Sequence, residues 1–235
     1  MSFLVGIFTE KSRKNRKMKA VFVLIAALLL GFSDVLAQTY VGSGSSYFKQ
    51  QEIPDAVFER MIGKSFAEGC TTLREELRYL RVLHYNKEGQ ELEGELVCHQ
   101  SIADDLLDIF LELYKAKYPI ERMVLIDEYN ADDEASMQAN NTSAFNFRQA
   151  SGMRRLSRHA VGMAIDINPL YNPLVKHREG RTRVYPANAA PYIDRTKEFP
   201  YKIVKGDLCY RLFKQHGFKW GGDWKNSKDY QHFEK

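Results

Sequence analysis

The chain has 235 residues, of which 44% are hydrophobic and 27% are charged, a balance typical of a globular protein with a substantial core. Of its 34 basic and 30 acidic side chains, residues 1–37 hold six and two, so residues 38–235 carry 28 of each. A formally neutral remainder gives no electrostatic reason to expect nucleic acid or an anionic membrane surface as a partner.

Residues 1–37 have the pattern of a secretory signal. Six lysines and arginines precede an apolar run from Ala20 to Phe32, and the segment ends at Val35-Leu36-Ala37. A membrane-spanning helix needs about 20 apolar residues, and this run is shorter. We therefore expect cleavage after Ala37, no stable membrane span afterwards, and an exported product that is periplasmic or secreted. Nothing in the sequence determines its oligomeric state.

Residues 38–52 have the composition of a linker, and residues 53–235 are expected to form one domain. Pro54 and the apolar residues that follow it predict a short helix before Gly63. Residues 77–85 and 95–98 are rich in strand-forming side chains, and the turn-forming residues 86–89 between them predict a hairpin.

The central part of the chain predicts a helix, a strand and a loop. Ser101 is expected to cap a helix whose apolar stripe recurs at helical spacing until Pro119 ends it. The apolar run at residues 123–126 predicts a buried strand. Residues 130–143 are polar and are expected to form an exposed loop.

The last part of the chain contains a proline-rich stretch and a second helix. Residues 169–202 hold five prolines with little periodicity, which predicts a long loop able to cover a cleft. Asp207 is expected to cap a helix that ends near His216. The run Trp220-Gly221-Gly222-Asp223-Trp224 fits either a wall that a ligand approaches or a tight turn with two packed indoles.

Three cysteines allow one disulfide in an exported chain. Cys70 and Cys98 are the pair we favour, with Cys209 left over. Because the chain has no Cys-x-x-Cys element, a thiolate zinc site is not expected.

Residues 157–168, read as SRHAVGMAIDIN, place His159 and Asp166 seven positions apart. Gly162 and Ala164 leave the backbone between them room to approach another surface. From Ala164 onward polar and apolar residues alternate, which predicts a strand from which Asp166 projects. A second polar cluster, Asp229-Tyr230-Gln231-His232, follows later. Two imidazoles and one carboxylate form a typical catalytic zinc set, because three protein ligands leave a fourth position for water.

These two motifs, Ser157-x-His159-x-x-Gly162-x-Ala164-x-Asp166 and Asp229-x-x-His232, resemble those of zinc D-alanyl-D-alanine carboxypeptidases of the vancomycin-resistance type and of the related phage L-alanyl-D-glutamate endopeptidases. The resemblance covers about residues 140–233, and the tryptophan-glycine run looks like the endopeptidase branch. It implies that His159, Asp166 and His232 bind Zn²⁺ and that Asp229 is the catalytic carboxylate. Many relatives have glutamate at the position that Asp229 occupies here. The residues alone also allow Asp166 as the base and Asp229 as the ligand, an exchange that the resemblance disfavours.

Two further residues are candidates for substrate binding. Ser157 either donates a hydrogen bond to the substrate or caps the turn that enters the motif. The guanidinium of Arg148 is suited to hold a substrate carboxylate in bidentate fashion. Arg154, Arg155 and Arg158 are neighbours that could do the same, and a solvated surface position is the alternative for each.

The sequence therefore predicts a zinc-dependent peptidase that acts on the peptidoglycan stem peptide, of either the D-Ala-D-Ala carboxypeptidase or the L-Ala-D-Glu endopeptidase type. The alternative is a non-catalytic zinc-containing module that binds the cell wall or a protein, and a retained Asp229 argues against it. A purely structural zinc domain lacks a fourth ligand. We expect an α+β fold, with a small antiparallel sheet, helices packed on one side and zinc at the open face. The motif-bearing core should span about residues 140–235.

Overall fold

The computed structural model describes residues 46–150, 155–178 and 180–235. The predicted signal segment and most of the predicted linker lie outside these residues. Tyr47–Lys235 forms one compact unit. Among the residues described, no helix is both long and apolar enough to cross a membrane.

The first sheet is built on the predicted hairpin. It contains β1 (Lys49–Gln51), β2 (Leu77–Tyr85) and β3 (Glu91–His99), all antiparallel and in that order. The hairpin prediction is confirmed, although β3 begins earlier than expected. β1 lies inside the segment interpreted as a linker, because its backbone pairs with β2 from Lys49 opposite Arg81 to Gln51 opposite Tyr79. The short helix α1 (Asp55–Met61) follows Pro54 as predicted.

Helix α2 (Gln100–Lys115) packs its apolar stripe into the main core, as predicted. The fully buried positions recur at helical spacing: Ile102, Leu106, Ile109, Phe110 and Leu113. The predicted cap, Ser101, was wrong by two residues. The helix is capped by His99, whose ring accepts a hydrogen bond from the Ser101 N–H at 3.2 Å.

Met123, Leu125 and Ile126 are buried as predicted and Val124 is half-buried, but residues 123–126 form no strand. The amide side chain of Asn141 accepts from the Val124 N–H at 2.9 Å and donates to the Val124 carbonyl at 3.0 Å. One side chain thus satisfies the backbone that a neighbouring strand would otherwise pair. The exposed loop expected over residues 130–143 is also wrong, because it contains helix α3 (Asp133–Gln138) and its last residues Asn140, Asn141 and Thr142 are buried.

The proline-rich segment is not one long loop. It contains a second hairpin, β5 (Leu174–Arg178) and β6 (Arg181–Tyr185), and then a 3₁₀ helix, Ala187–Tyr192. β5 also pairs with β8 (Ser227–Asp229), giving a sheet of order β6-β5-β8. Its prolines fall outside the paired residues of both strands, so they do not interrupt the ladder.

The third sheet has the order β4-β9-β7, formed by Ala164–Asp166, His232–Glu234 and Lys219–Trp220. Helix α4 (Leu208–Gln215) begins as predicted, with the Asp207 carboxylate accepting from the Tyr210 N–H at 2.7 Å. The α+β class is confirmed, with three small antiparallel sheets where a single one was expected. One apolar core joins α2, α4 and the third sheet, and the rings of Phe213 and Phe233 stack in it with centroids 4.2 Å apart.

The favoured disulfide does not form. Cys70, Cys98 and Cys209 are all free thiols, and the last two are fully buried in the core. Cys98 lies on β3 and Cys70 lies in the connection before β2, where its thiol points to the Thr72 carbonyl at 3.6 Å.

Candidate metal centre

His159 begins a 3₁₀ turn, His159–Val161, and Ser157 lies two residues before it. The Ser157 hydroxyl accepts from the His159 N–H at 3.2 Å, so this residue does cap the turn. The turn ends at Gly162, which has a left-handed φ of +67°. This conformation costs little only for glycine, and it directs the chain into β4.

Gly162 also lies against the first sheet. A side chain at this position would place its Cβ 2.6 Å from the His99 backbone nitrogen, and the Gly162 carbonyl accepts from the His99 N–H at 2.9 Å. The predicted close approach of the motif backbone to another surface is therefore observed, and that surface is the end of β3.

Asp166 and His232 are brought together by strand register. They lie directly opposite each other on β4 and β9, so their side chains leave the sheet on the same face. His159 Nε2 completes the cluster. It lies 3.1 Å from His232 Nδ1 and 3.3 Å from Asp166 Oδ2, and His232 Nδ1 lies 3.0 Å from Asp166 Oδ1. All three side chains are buried.

The geometry of the three atoms suits one tetrahedral metal ion. Ligand atoms about 2.0–2.1 Å from a tetrahedral zinc ion lie about 3.3 Å from one another, close to the observed separations. The other nitrogen of each ring is also engaged. His159 Nδ1 lies 2.6 Å from the Ala144 carbonyl, and His232 Nε2 lies 3.3 Å from the carboxylate of Glu234. Such partners fix the tautomer and orientation of ligand histidines.

The charge state of the cluster favours a cation at its centre. Burial pushes the pKa of Asp166 upward, but the charge of His159 and the hydrogen bonds of both histidines outweigh burial and hold the pKa below its usual range. Burial lowers the pKa of His232, yet the hydrogen bonds to Asp166 and Glu234 raise it to about 10. The site thus attracts positive charge at His232 Nδ1, where a proton and a metal ion compete.

Asp229 lies beside this cluster at the end of β8, opposite Leu174 of β5. It is only 8% exposed, and burial raises its pKa to about 6 against the opposing effect of His232. Its Oδ1 atom is buried and has no hydrogen-bond partner among the described residues. Buried polar atoms are nearly always paired, so an unpaired carboxylate oxygen calls for a functional explanation.

The metal cluster, Asp229 and both predicted substrate binders line one cavity of about 300 Å³. Arg148 reaches it while forming an ion pair with Asp133 of α3. Arg155 and Arg158 line the same cavity, and Arg158 donates to the Lys235 carbonyl. Arg154 lies outside the described residues.

The two tryptophans of the glycine-containing run have different positions. Trp220 packs in the core, where its indole N–H donates to the Tyr230 carbonyl at 2.9 Å and its ring occupies the space that a Cβ on Gly222 would need. Trp224 lines the cavity, with its ring centroid 5.4 Å from that of His232. Trp220 is therefore packed as the tight-turn interpretation predicts, whereas Trp224 is not in the core and lines the cavity.

The sequence analysis missed two parts of the site. Glu234 lies two residues after His232 on the same strand, so the period of two residues in a strand could have placed it on the same face. The β5–β6 hairpin forms another wall through Leu174, Lys176 and Tyr185. This hairpin was not predicted, because residues 169–202 were interpreted as one long loop.

Two histidines and one aspartate are buried together at a cavity that also holds a separate buried carboxylate, an arrangement suited to metal-dependent hydrolysis. Residues 151–235 match the family model described as D-alanyl-D-alanine carboxypeptidase. The match contains both motifs and supports the zinc D-Ala-D-Ala carboxypeptidase family, as the residue pattern predicts, and with it a peptidase of the cell-wall type. No curated protein and no solved structure matches the chain significantly.

Proposed function

We propose that the protein is a zinc-dependent peptidase that hydrolyses a peptide bond in the peptidoglycan stem peptide, as a D-Ala-D-Ala carboxypeptidase or an L-Ala-D-Glu endopeptidase. The observation that carries the proposal is the unpaired, buried oxygen of Asp229 in the same cavity as three converging ligand atoms. A module that only binds its target has no use for such a carboxylate.

In this proposal His159 Nε2, Asp166 and His232 Nδ1 hold the zinc ion. When bound, the ion supplies Lewis-acid chemistry, since it lowers the pKa of water toward neutrality and polarises a peptide carbonyl. Ala144 and Glu234 keep the two imidazoles oriented toward the same point.

Asp229 acts as the general base. Its carboxylate takes a proton from the attacking water and delivers it to the amine that leaves. Burial raises the pKa of Asp229 above its usual range in the metal-free protein, which makes its carboxylate a better proton acceptor. Asp166 is less suited to this exchange, because both its oxygens already bond the two histidines.

Arg148 and Ser157 position the substrate. The ion pair with Asp133 holds the Arg148 guanidinium at the cavity wall, from which it can bind a carboxylate of the peptide. The Ser157 oxygen accepts from the His159 N–H, and this leaves its own O–H available to donate to a substrate carbonyl or carboxylate.

The proposed substrate lies outside the cytoplasm, and export through the signal at residues 1–37 would bring the enzyme to it. A protein expressed with those residues should be recovered in the periplasm or medium with Gln38 as its first residue. Retention of residues 1–37 on the recovered protein would contradict this part of the proposal.

The test of the activity is to incubate the zinc-loaded protein with purified peptidoglycan, and with a defined stem pentapeptide, in the presence and absence of a chelator. We expect fragments or D-alanine to be released only without the chelator, and mass spectrometry of the pentapeptide products identifies the bond that is cut. Binding to peptidoglycan with no product at any zinc concentration would instead identify a non-catalytic binding module.

A further inference from the structure

The β5–β6 hairpin places all its lysine and arginine side chains on one face. In its register Leu174 lies opposite Tyr185, Lys176 opposite Arg183, and Arg178 opposite Arg181. Residues directly opposite, and residues two apart on one strand, share a face of a sheet. Lys176, Arg178, Arg181 and Arg183 therefore form two adjacent rungs on a single face, which we call the basic ladder. The opposite face holds Val175, His177, Thr182 and Val184.

The basic ladder leads directly away from the catalytic cavity. Leu174, Tyr185 and Lys176 line that cavity, and Leu174 is also the residue opposite Asp229 in the β5–β8 pair. Asp229 therefore lies on the same face as the ladder. Successive rungs are about 7 Å apart, since a strand rises about 3.4 Å per residue. The ladder thus extends the active-site wall outward for two rungs.

Each rung of the basic ladder places two like charges opposite each other. Like charges directly opposite on paired strands destabilise a hairpin, and here both rungs beyond Leu174 and Tyr185 consist of like charges. Residues 174–185 contain four lysines and arginines and a single acidic residue, Glu179. Arg178, Arg181 and Arg183 are exposed, and neither Arg181 nor Arg183 takes part in an ion pair with any described residue. Exposed cations gathered on one face beside a cavity are typical of a surface that binds anionic groups.

We propose that the basic ladder is the binding subsite for the acidic part of a peptide substrate, whose carboxylates pair with the rungs while the bond to be cut lies at the metal centre. The proposal rests on the proposed peptidase function and specifies its substrate as a peptide with several free carboxylates. In an extended peptide, carboxylates two residues apart repeat at about 7 Å, the spacing of the rungs. Guanidinium groups bind carboxylates in bidentate geometry, so arginine suits the outer positions.

The test compares two double variants of equal charge change. Arg181→Gln/Arg183→Gln removes two cations from the ladder. Lys49→Gln/Lys214→Gln removes two exposed cations from β1 and α4, neither of which lines the cavity. Each zinc-loaded protein is assayed on a stem pentapeptide with all carboxylates free, and on the same peptide with its internal carboxylates amidated and its terminal carboxylate kept.

The ladder variant should raise KM for the acidic peptide about tenfold, as expected for two partly exposed ion pairs, and leave kcat unchanged. Its KM for the amidated peptide should equal that of the wild type, and the control variant should match the wild type on both peptides. Equal changes for the two peptides, or equal KM values in the two variants, would overturn the proposal.

Direct titration of the acidic pentapeptide separates this proposal from the activity itself. If the wild type cleaves neither peptide, the proposed function fails, while about tenfold weaker binding by the ladder variant still supports an acidic-peptide subsite. Binding that is absent or equal in both proteins rejects the subsite. Loss of binding only to vesicles containing anionic phospholipid would show that the ladder serves a membrane surface, and the proposal would then be wrong.

Discussion

The first sheet with α2 and the region that carries the metal centre are stabilised in different ways. β2 and β3 are nine residues long and bury an apolar face against α2, whereas β4, β8 and β9 have three residues each. The second region buries a dense set of polar side chains, including Ser157, His159, Asp166, Asn168, Asn172, Asp229, Gln231 and His232. Both regions contribute to one apolar core, whereas the buried polar side chains of the candidate site are concentrated around the short strands.

Asparagine side chains partly replace strand pairing in the second region. The Asn172 amide donates to the carbonyls of Asn168 and Tyr201 at 3.0 and 2.8 Å, and its oxygen accepts from the Ile203 N–H at 2.8 Å. Asn168 in turn donates to the Pro119 carbonyl at 3.0 Å. Buried and fully bonded amides specify one arrangement of irregular backbone. Short strands can therefore hold catalytic groups in fixed positions.

Asp229→Asn should have the largest effect, because it should lower kcat without lowering the stability of the fold. We expect kcat to fall about 10²- to 10⁴-fold, the usual contribution of a general base, while zinc stays bound. Stability of the metal-free protein at pH 7 should not fall. Because burial raises the pKa of Asp229 to about 6, its favourable contribution is present only at low pH and is lost as the pH rises through that value.

Turnover on the stem pentapeptide, zinc content and thermal unfolding check this prediction. Asp223→Asn is the matched control, because Asp223 is exposed and should tolerate the change. Turnover that survives in Asp229→Asn would remove the residue from its assigned role.

Leu106→Ala should lower stability and leave kcat unchanged, the opposite of what we expect for Asp229→Asn. Leu106 is fully buried in the apolar core on α2, and such truncations cost about 2–5 kcal/mol of unfolding free energy. Urea denaturation measures the loss, with Asp108→Ala on the exposed side of the same helix as the reference. At temperatures where the variant stays folded, its kcat should equal that of the wild type, and a parallel fall in kcat would show that the two regions are not separate.

Gly162→Ala should affect both regions, because Gly162 is where the metal-binding motif meets β3. The left-handed backbone costs a non-glycine residue about 1–3 kcal/mol, and the new methyl group must also displace the His99 backbone 2.6 Å away. Gly63→Ala is the comparison, since Gly63 has a similar φ of +72° with nothing within 4 Å of the added Cβ. If Gly162→Ala loses more stability and more zinc affinity than Gly63→Ala, the difference measures the contact with the His99 backbone. Equal losses in the two variants would show that this contact has no effect.

Glu234→Ala should give the smallest effect. Loss of a carboxylate that orients a ligand histidine weakens metal binding about 10- to 100-fold, and here it frees His232 Nε2. Competition with a chromophoric chelator measures the affinity. Glu234→Gln retains an oxygen that can accept from the ring, so it should recover part of the loss. An unchanged affinity in both variants would mean that Glu234 does not position His232.

The sequence predicts elements well where one local pattern determines them. The stripe on α2, the β2–β3 hairpin and the Asp207 cap of α4 depend on periodicity or on a neighbouring donor, and all three are observed. The strand predicted at residues 123–126 does not form, because the side chain of Asn141 bonds both backbone groups of Val124 from 17 positions away in sequence and leaves no local signal. The β5–β6 hairpin was missed because the surrounding prolines suggested a loop throughout.

The candidate site is also only partly encoded in local patterns. Two motifs indicate His159, Asp166, His232 and Asp229, and the structure brings these residues to one cavity, while their individual roles stay predictions. The basic ladder could not be foreseen, because its existence depends on the register of two strands.

β9 is the central strand of its sheet, and its pairing with β4 joins residues that are 66 to 70 positions apart in sequence. Detachment of this one strand removes His232 from the cluster, together with Glu234 and the core ring of Phe233. An ion that binds only when β9 is in place shifts the equilibrium toward the closed strand by mass action. If the proposed metal ion binds there, detachment of β9 and loss of the ion should therefore occur together.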